Sequence, residues 1–425
     1  MLTEQDHSLI RRETGIPGMR YLLEPSGLLD LIRQNGEIRR LDNLEPGYLR
    51  YKPGMNCIAR FQFIRDGEKH FAYAKAFGKD AAGKISKALE REDPGSVLGP
   101  GRVALRDEGI LFSVFPNDAR LRSVGKLQDP SSRSNLLKRL FKSQPGWESA
   151  SFSPLNYKPA RRFVAKFQRP DGESATVKFY SRTEFSRVRE FRKHLESTPG
   201  VRVPDWIGGS KSHHALAFSW LNGTTLRENQ GAGRTAAMTG AGSILARFHR
   251  GHQHRFKPRS AKKACRRTIA LAAGLCMILP EITAQADQLA RELSVWRAGL
   301  KRPELPVHGD FYDKQVLVDG SKLALIDSDD AHLGDPLDDI ACFVAHLERH
   351  AINGLVNHGD IGKDAGSLIE GYREVNPGLE LEDLDRHVAF SLFQLVHHPF
   401  RDRADNWPDQ TRALLNRCKV LFESA

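Results

Sequence analysis

Short runs of alternating apolar and polar residues fill the front of the chain, whereas longer apolar repeats at helical spacing fill the back. The front runs are joined by Asp-Gly turns, which predicts antiparallel β-hairpins. Two further strand-like runs, Val316-Leu317-Val318 and Leu323 to Ile326, flank an Asp319-Gly320 turn. Apolar spacings of three and four predict helices over 241–249, 265–279, 282–299, 336–350, 364–376, 381–397 and 407–423. The pattern therefore predicts an α+β protein.

The β-rich front contains an internal repeat. Tyr51-Lys52-Pro53 followed by Ala59-Arg60-Phe61-Gln62 recurs, at the same spacing, as Tyr157-Lys158-Pro159 followed by Ala165-Lys166-Phe167-Gln168. A strand with a lysine follows in each copy, carrying Lys75 in the first and Lys178 in the second. Because so many ordered matches would rarely arise by chance, we predict a duplicated β-rich unit of about a hundred residues.

Composition places the chain among ordinary globular proteins, with 40% apolar and 27% charged residues. The five cysteines are scattered and form no Cys-x-x-Cys pair, which indicates a reducing compartment and argues against a disulfide framework or a zinc site. The N-terminus is polar, and the longest apolar stretch, Ile269 to Leu279, is too short to span a bilayer. We therefore expect a cytoplasmic protein with no membrane partner.

The net charge is +12, and it is unevenly distributed. Basic residues outnumber acidic ones over 1–300, and the reverse holds over 301–400. A basic front suits a polyanionic nucleotide, and an acidic back suits a metal and a cationic substrate, although charge can also serve solubility alone. Nucleic acid is an unlikely partner, because the basic half shows no zinc finger, compact basic helix or repeated aromatic and basic pattern. The oligomeric state stays open.

The most informative segment surrounds the hairpin predicted in the helical half. Asp310 stands two residues after His308 and five before Gln315, and the second strand of the hairpin delivers Asp327. Phosphoryl transfer needs these groups, because one carboxylate orients a hydroxyl while an amide and a second carboxylate hold magnesium. The alternative is a solvated acidic surface. However, carboxylates that flank buried apolar runs need a partner or a metal.

Three motifs in this order resemble those of the aminoglycoside phosphotransferase and choline kinase group of small-molecule kinases. They are His308-Gly309-Asp310 followed by Gln315, Ile326-Asp327-Ser328-Asp329, and Gly334-Asp335-Pro336 through Asp339-Ile340-Ala341. Gln315 is a departure, since most members of that group carry asparagine there. The resemblance implies a protein-kinase-like bilobal fold, with an antiparallel β N-lobe and a mainly helical C-lobe.

The resemblance also implies that the second copy of the repeat is the lobe that covers the nucleotide, since it directly precedes the single catalytic loop. The first copy then resembles a degenerate N-lobe kept as a cap or an interaction module. We accordingly predict a duplicated N-lobe-like α+β cap domain over 1–130, a linker with a short basic helix over 131–149, an N-lobe over 150–222 and a C-lobe over 223–425.

The expected site residues follow from the family's motifs. For the nucleotide, the resemblance implies that Lys178 holds the α and β phosphates, Glu190 (with Glu184 as an alternative) orients that lysine, and the hinge backbone at Ser219, Trp220 and Leu221 contacts the base. For the reaction, it implies Asp310 as the base, His308 as a brace of the loop, and Gln315, Asp327 and Asp329 as ligands of Mg²⁺. Asp335 and Asp339 are expected to cap and brace the following helix. ATP is the expected donor, with GTP possible.

The acceptor is expected between the catalytic loop and the late helices, where two features compete. The acidic segment Glu380 to Asp385 favours a cationic aminosugar, whereas His398, Arg401 and Trp407 suit a neutral sugar through stacking and hydrogen bonds. We therefore predict phosphorylation of a hydroxyl on a small metabolite, a sugar or an aminosugar.

Two other functions compete with this prediction. A nucleotide-binding pseudokinase or regulatory module would account for Gln315 and for the extra lobe. A protein kinase fits less well, because the Gly334-Asp335-Pro336 motif follows Asp330 at once and leaves no room for an activation segment.

Overall fold

Two five-stranded antiparallel sheets and a helical half make up the computed structural model of the chain. The model describes residues 2–424 except 39, 143, 193–198, 232, 252–255 and 302–303, and it leaves the side chains of 190–192 undescribed. The α+β class expected from the apolar pattern is confirmed.

The first unit combines three helices with the first sheet. The helices were not predicted from the sequence: α1 (Glu4–Arg12), α2 (Met19–Leu23) and α3 (Pro25–Asn35). Helices α2 and α3 pack on the sheet, and α1 packs against α2 and a helix of the C-terminal half. The sheet comprises β1 (Glu45–Lys52), β2 (Asn56–Arg65), β3 (Glu68–Phe77), β4 (Arg102–Leu105) and β5 (Ile110–Val114), with α4 (Ala81–Leu89) between β3 and β4.

The second unit repeats this plan. Its elements are β6 (Ser151–Lys158), β7 (Arg162–Gln168), β8 (Ser174–Tyr180), α6 (Arg182–Arg192), β9 (Trp206–Ser210) and β10 (Ala215–Ser219). The helix before it, α5 (Pro130–Leu140), begins at Pro130, so part of the predicted linker is helical. Asp129 caps this helix and proline suits its first turn, which explains why the helix begins at Pro130.

The two sheets share one strand order and one register around their lysines. The order is β1-β2-β3-β5-β4 in the first and β6-β7-β8-β10-β9 in the second. Lys75 pairs with Ile58 and Leu111, and Lys178 pairs with Val164 and Leu216. This likeness agrees with the sequence repeat, and a common origin by duplication stays a prediction.

Side chains alternate between the two faces of a strand, and the first sheet has a covered face on each side. One face, which includes Cys57, Ala59 and Phe61, joins the N-terminal helices and the C-terminal helices in one core. The opposite face, with Phe71 and Tyr73, packs against the second sheet and α5. The first unit is therefore in contact with both halves of the rest of the chain.

The helical half starts after the second sheet and contains two small sheets. Its strands are β11 (Thr224–Thr225), β12 (Leu305–Val307), β13 (Val316–Asp319), β14 (Lys322–Leu325) and β15 (His332–Gly334). Its helices are α7 (Arg234–His249), α8 (Ala261–Ile278), α9 (Thr283–Gly299), α10 (Pro336–Ile352), α11 (His358–Val375), α12 (Leu384–Phe393), α13 (His398–Arg401) and α14 (Trp407–Glu423). Short 3-10 helices occupy Arg122–Leu127, Pro280–Ile282, Asp313–Gln315 and Ser328–Asp330. Within the described residues, every helix is too short or too polar to cross a membrane.

A buried ion pair connects the first unit to the C-terminal helices. The Arg403 guanidinium donates to the Asp6 carboxylate with N···O distances of 2.9 and 3.0 Å, and the Asp6 side chain is fully buried. Removing one partner of such a pair leaves a buried charge unpaired and costs about 3–5 kcal/mol. The first unit is therefore anchored to the helical half and does not depend on the second sheet alone for its position.

Candidate active site

The catalytic loop follows β12 and is held by Asp339. The backbone N–H groups of His308 and Gly309 donate to the Asp339 carboxylate at 2.5 and 2.8 Å, and His249 contacts it at 3.0 Å. Asp339 lies in the first turn of α10, where the helix dipole favours negative charge. Asp335 caps the same helix by accepting the Leu337 N–H at 3.0 Å.

Two residues of the loop have little conformational choice. Gly309 has a φ of 79°, and a Cβ there would lie 2.4 Å from the Asp330 carbonyl oxygen, so only glycine fits. His308 is fully buried, and its Nε2 lies 3.0 Å from the Ile326 carbonyl oxygen. The side chain of His308 thus ties the loop to the end of β14.

Asp310, the expected base, is half-buried between the hairpin and a cavity. Burial, together with the charges of Asp327 and Asp330, raises the pKa of Asp310 to about 6. A carboxylate with a raised pKa is a stronger base than an ordinary aspartate, and it still ionises near neutral pH. The position and electrostatics of Asp310 are therefore compatible with accepting a proton from a hydroxyl.

The hairpin delivers two carboxylates to the lysine of the second sheet. The Lys178 Nζ donates to the Asp327 Oδ1 at 2.6 Å and to the Asp329 Oδ1 at 3.1 Å. Asp327 has a φ of 59°, a left-handed conformation that few aspartates adopt without a local reason. Burial alone would raise the pKa of Asp327, but Lys178 and Arg162 outweigh it and hold that pKa well below its usual range.

Arg162, at the start of β7, belongs to this cluster and was missed in the sequence. Its guanidinium lies 3.2 and 3.3 Å from the Asp327 carboxylate oxygens and 2.8 Å from the Asp329 Oδ2. The Tyr180 hydroxyl also donates to the Asp329 Oδ2, at 3.0 Å. A difference between the two copies of the repeat pointed to Arg162. The second copy reads Ala160-Arg161-Arg162 at the positions where the first copy reads Gly54-Met55-Asn56, so only the second copy has basic residues there.

The residues predicted to hold magnesium lie on the catalytic loop and at the end of the hairpin. The main-chain carbonyl oxygen of Gln315 accepts the Ile326 N–H at 2.9 Å, which places the Gln315 backbone beside the residue that precedes Asp327. Gln315, like Asp329, is buried. Carboxylate and amide oxygens are the donors that Mg²⁺ prefers, so the residues present fit this ion. The ligand roles of Gln315, Asp327 and Asp329 stay predictions.

Glu190, predicted to orient Lys178 from α6, has a side chain outside the described residues. Glu184, the alternative, instead accepts from Arg161 at 2.8 and 2.9 Å. Lys178 is oriented by Asp327 and Asp329.

The predicted hinge follows β10 at the edge of the second sheet. Ser219 accepts the Asp205 N–H on its Oγ at 2.8 Å, and the Trp220 N–H donates to the Ser174 carbonyl oxygen at 3.3 Å. Trp220 is half-exposed, with the Lys166 ammonium 4.6 Å from its ring centroid. Leu221 is half-exposed as well. Trp220 is thus a surface aromatic and not part of the core, which keeps it available to flank a base.

A cavity of about 750 Å³ is lined by Asp310 but not by Lys178, Arg162 or Asp327. The catalytic loop, α8, α10, α12 and α13 line it, and so do β1 and β2 of the first unit. His398 and Arg401, two of the predicted acceptor residues, face this cavity. The acidic segment Glu380 to Asp385 does not line it.

The prediction for Trp407 was wrong. Its side chain is fully buried and packs against the Phe400 ring, with 4.9 Å between centroids. The sequence contained the reason, because the buried positions of α14 recur at helical spacing from Trp407 onward: Thr411, Leu414, Leu415, Cys418 and Leu421. Trp407 therefore belongs to the core and cannot contact an acceptor.

Comparison with known proteins adds the following. A model of the phosphotransferase enzyme family matches residues 150–375. Similar solved structures include a thermostable mutant of aminoglycoside phosphotransferase APH(4)-Ia in a ternary complex with ADP and hygromycin B, at 16% identity over 69% of this chain and 99% of that chain, with a TM-score of 0.49. Another is the macrolide 2'-phosphotransferase MphH from Brachybacterium faecium, at 17% identity over 63% and 92%, with a TM-score of 0.43. No curated protein matches the chain.

Proposed function

The chain belongs to the phosphotransferase enzyme family, and on that premise we propose that it transfers the γ-phosphoryl group of ATP to a hydroxyl of a sugar or an aminosugar. Its protein-kinase-like fold and its activity on small-molecule hydroxyls follow from the family. The nucleotide, the metal and the acceptor are our proposal. The observation that carries it is the meeting of Lys178 with Asp327 and Asp329 within 3.1 Å, next to Asp310.

Each residue in the cluster has a distinct part in this proposal. Asp310 accepts the proton of the acceptor hydroxyl, and its raised pKa makes it a competent base. Lys178 and Arg162 bind the phosphates of the nucleotide as buried cations. Gln315 and Asp327 would hold Mg²⁺, with Asp329 assisting, and the bound ion would neutralise charge on the transferred phosphoryl group. His308 and Asp339 keep the loop in place.

The nucleotide base is proposed to lie at the hinge, against Ser219, Trp220 and Leu221. Adenine has a flat face that Trp220 can cover and an edge that hinge backbone groups can recognise. ATP is the proposed donor, and a parallel assay with GTP tests that choice.

The test is release of ADP in a coupled assay across sugars, aminosugars, amino alcohols and aminoglycosides. Asp310→Asn should lower turnover by at least about a hundred-fold, because general-base catalysis contributes about 10²–10⁴. The far-ultraviolet circular dichroism and the melting temperature of the variant serve as controls for folding. Near-normal turnover by Asp310→Asn would contradict the assignment of Asp310 as the base.

One observation favours the regulatory alternative. The carboxylates of Asp327 and Asp329 already pair with two cations, and Gln315 replaces the usual asparagine, so the chain could bind nucleotide without turnover. Thermal-shift titration with ATP separates the two functions. Stabilisation that depends on Mg²⁺ and is followed by acceptor-dependent ADP release supports the enzyme, whereas stabilisation without release from any acceptor supports the regulatory module.

A further inference from the structure

We propose that the acceptor carries a negative charge, as a phosphate or carboxylate group, and that the first unit supplies part of the surface that binds it. This inference rests on the proposed phosphotransferase function and narrows its sugar and aminosugar class to anionic members. The surface, called here the basic wall, consists of Arg60, Lys158, Arg349, Arg401, His346 and His398, and all six residues line the cavity beside Asp310.

The basic wall has more cations than carboxylates. The Asp402 carboxylate lies beside the wall, and it accepts from Arg349 at 2.7 Å and from Arg401 at 3.0 Å. Arg60 donates only to backbone carbonyl oxygens, those of Tyr157 at 3.1 Å and Gly47 at 3.3 Å. Among the described residues, no carboxylate lies within ion-pair distance of Arg60 or Lys158. With Asp310 at the edge of the wall counted beside Asp402, two negative charges face four cations, and that excess attracts an anion.

His398 of the wall is also surrounded by positive charge. Both ring nitrogens of His398 face guanidinium groups, Nδ1 that of Arg349 at 3.3 Å and Nε2 that of Arg401 at 2.8 Å. A neutral imidazole has one acceptor nitrogen, so one of these two contacts sets two donors against each other. Burial, followed by the charge of Arg401, holds the pKa of His398 well below its usual range. An anion beside these groups would offset the positive charge and accept hydrogen bonds from the guanidinium groups.

The opposite end of the cavity has balanced charges. There the Arg297 guanidinium pairs with the Asp338 carboxylate, with one N···O contact of 2.7 Å. Arg259 lies 3.6 Å from the Asp330 carboxylate. The unbalanced charge is therefore concentrated where the first unit meets α10 and α13, and this position suits one anionic group on a bound acceptor.

The wall reaches the predicted base, so a small molecule can span the two. A carboxylate oxygen of Asp310, the Cys342 Sγ and a ring nitrogen of His346 all lie within 4.8 Å of one another. His346 stacks on Tyr312, with 4.1 Å between ring centroids, and both residues line the cavity. An acceptor whose anionic group contacts Arg60 and Arg401 could thus present a hydroxyl to Asp310.

The nucleotide phosphates do not account for the wall. Lys178, Arg162 and Asp327, which form the proposed phosphate and metal site, are absent from the described lining of this cavity. Asp310 borders both regions, which is the place expected of a base between donor and acceptor. A polycationic aminosugar would meet four cations here, so the cavity disfavours the class that the acidic segment suggested.

The first experiment measures charge preference by calorimetric titration of the full-length Asp310→Asn variant with Mg²⁺ and a non-hydrolysable ATP analogue. The probes are glucose, glucosamine, glucuronate and glucose 6-phosphate. We expect at least one of the two anions to bind about ten-fold more tightly than glucose, since one charge-assisted contact is worth that much, with glucosamine weakest. The tighter anion distinguishes carboxylate from phosphate. Equal or tighter binding of glucose or glucosamine, or no binding of either anion, overturns the proposal.

The second experiment tests the contribution of the first unit. In the same background, Arg60→Ala should raise the Kd of the tighter anion by about ten-fold, and Arg60→Lys should restore most of the affinity. Arg65→Ala, on the same strand but outside the cavity, should leave the Kd unchanged. Equal effects of Arg60→Ala and Arg65→Ala overturn the role of the first unit. If the anion binds through Arg60 and the wild-type enzyme releases no ADP with any acceptor, the proposed reaction fails and the anion site stands.

Discussion

Lys75 and Lys178 occupy the same register position in two sheets of the same strand order, yet their surroundings have opposite charge. Lys178 meets two carboxylates within 3.1 Å. Lys75 lies 4.5 Å from the Phe77 ring centroid, and among the described residues no carboxylate pairs with it. The sheet alone therefore does not form the cluster that we propose as the phosphate site. That cluster forms where the hairpin of the helical half brings Asp327 and Asp329 to the lysine.

The pKa values of the two lysines follow from these surroundings. Burial, together with the nearby positive charges of Arg120 and Arg50, lowers the pKa of Lys75 to about 8. Burial has the same tendency at Lys178, but Asp327 and Asp329 outweigh it, so the pKa of Lys178 is raised. Two similar sheets thus hold one lysine that gives up its proton readily and one that keeps it.

The two sheets also differ in the turn that precedes their second strand, β2 in the first sheet and β7 in the second. In the second sheet, Arg162 ends the turn and contacts both carboxylates. In the first sheet, Asn56 stands at the equivalent position. The carboxylate beside that turn belongs to Glu13 of the first unit, and it accepts the Gly54 N–H at 2.9 Å. Arg60 of the first sheet faces the cavity, so the first unit serves the site from the acceptor side.

The largest difference between the two sheets should appear when each lysine is removed. We expect Lys178→Met to lower kcat/KM by about 10²–10³, because it removes a preorganised charge at the phosphates. Lys75→Met, the matched control, should change kcat/KM by less than about two-fold, since its position faces no carboxylate and no nucleotide. Steady-state ADP release measures both. Equal losses in the two variants would mean that the first sheet also binds nucleotide.

Local patterns were enough to predict that Lys178 lies on a strand and that Asp327 follows the second strand of a hairpin, because each strand has a turn signal beside it. The same holds for helix α10, whose start was read from Pro336 after an acidic cap. The contact between Arg162 and Asp327 spans 165 residues, and no local pattern reports such a separation. Among the N-terminal helices, α1 buries a single apolar residue and α2 has only five residues, so neither has a clear apolar repeat. Helix α3 buries Leu28, Leu29 and Ile32 at helical spacing, and that pattern could have predicted it.

Replacing Arg162 with the first copy's residue should produce the next largest effect. Arg162→Asn removes charge-assisted hydrogen bonds worth about 1.5–3 kcal/mol, so we expect the KM for ATP to rise by about ten-fold or more. The reverse change in the first sheet, Asn56→Arg, should leave the KM unchanged. Both variants should be assayed at saturating acceptor. If Arg162→Asn leaves the KM for ATP unchanged, Arg162 has only a structural role, and its loss should then appear in the melting temperature.

The smallest effect is a difference in chemical reactivity between the two lysines. An amine reacts only when it is deprotonated, and at pH 8 about half of Lys75 is in that form, against well under about one per cent of an ordinary lysine with a pKa near 10.4. Lys178 should stay protonated and unlabelled by an amine-reactive reagent, as measured by peptide mass spectrometry. As the pH rises from 7 to 9, labelling of Lys75 should increase steeply and then level off.

A double variant tests whether charge causes the difference. In the Asp327→Asn/Asp329→Asn variant, burial is no longer opposed by the carboxylates, so the pKa of Lys178 should fall and its labelling should approach that of Lys75. If Lys178 stays unreactive in that variant, restricted access and not charge separates the two lysines.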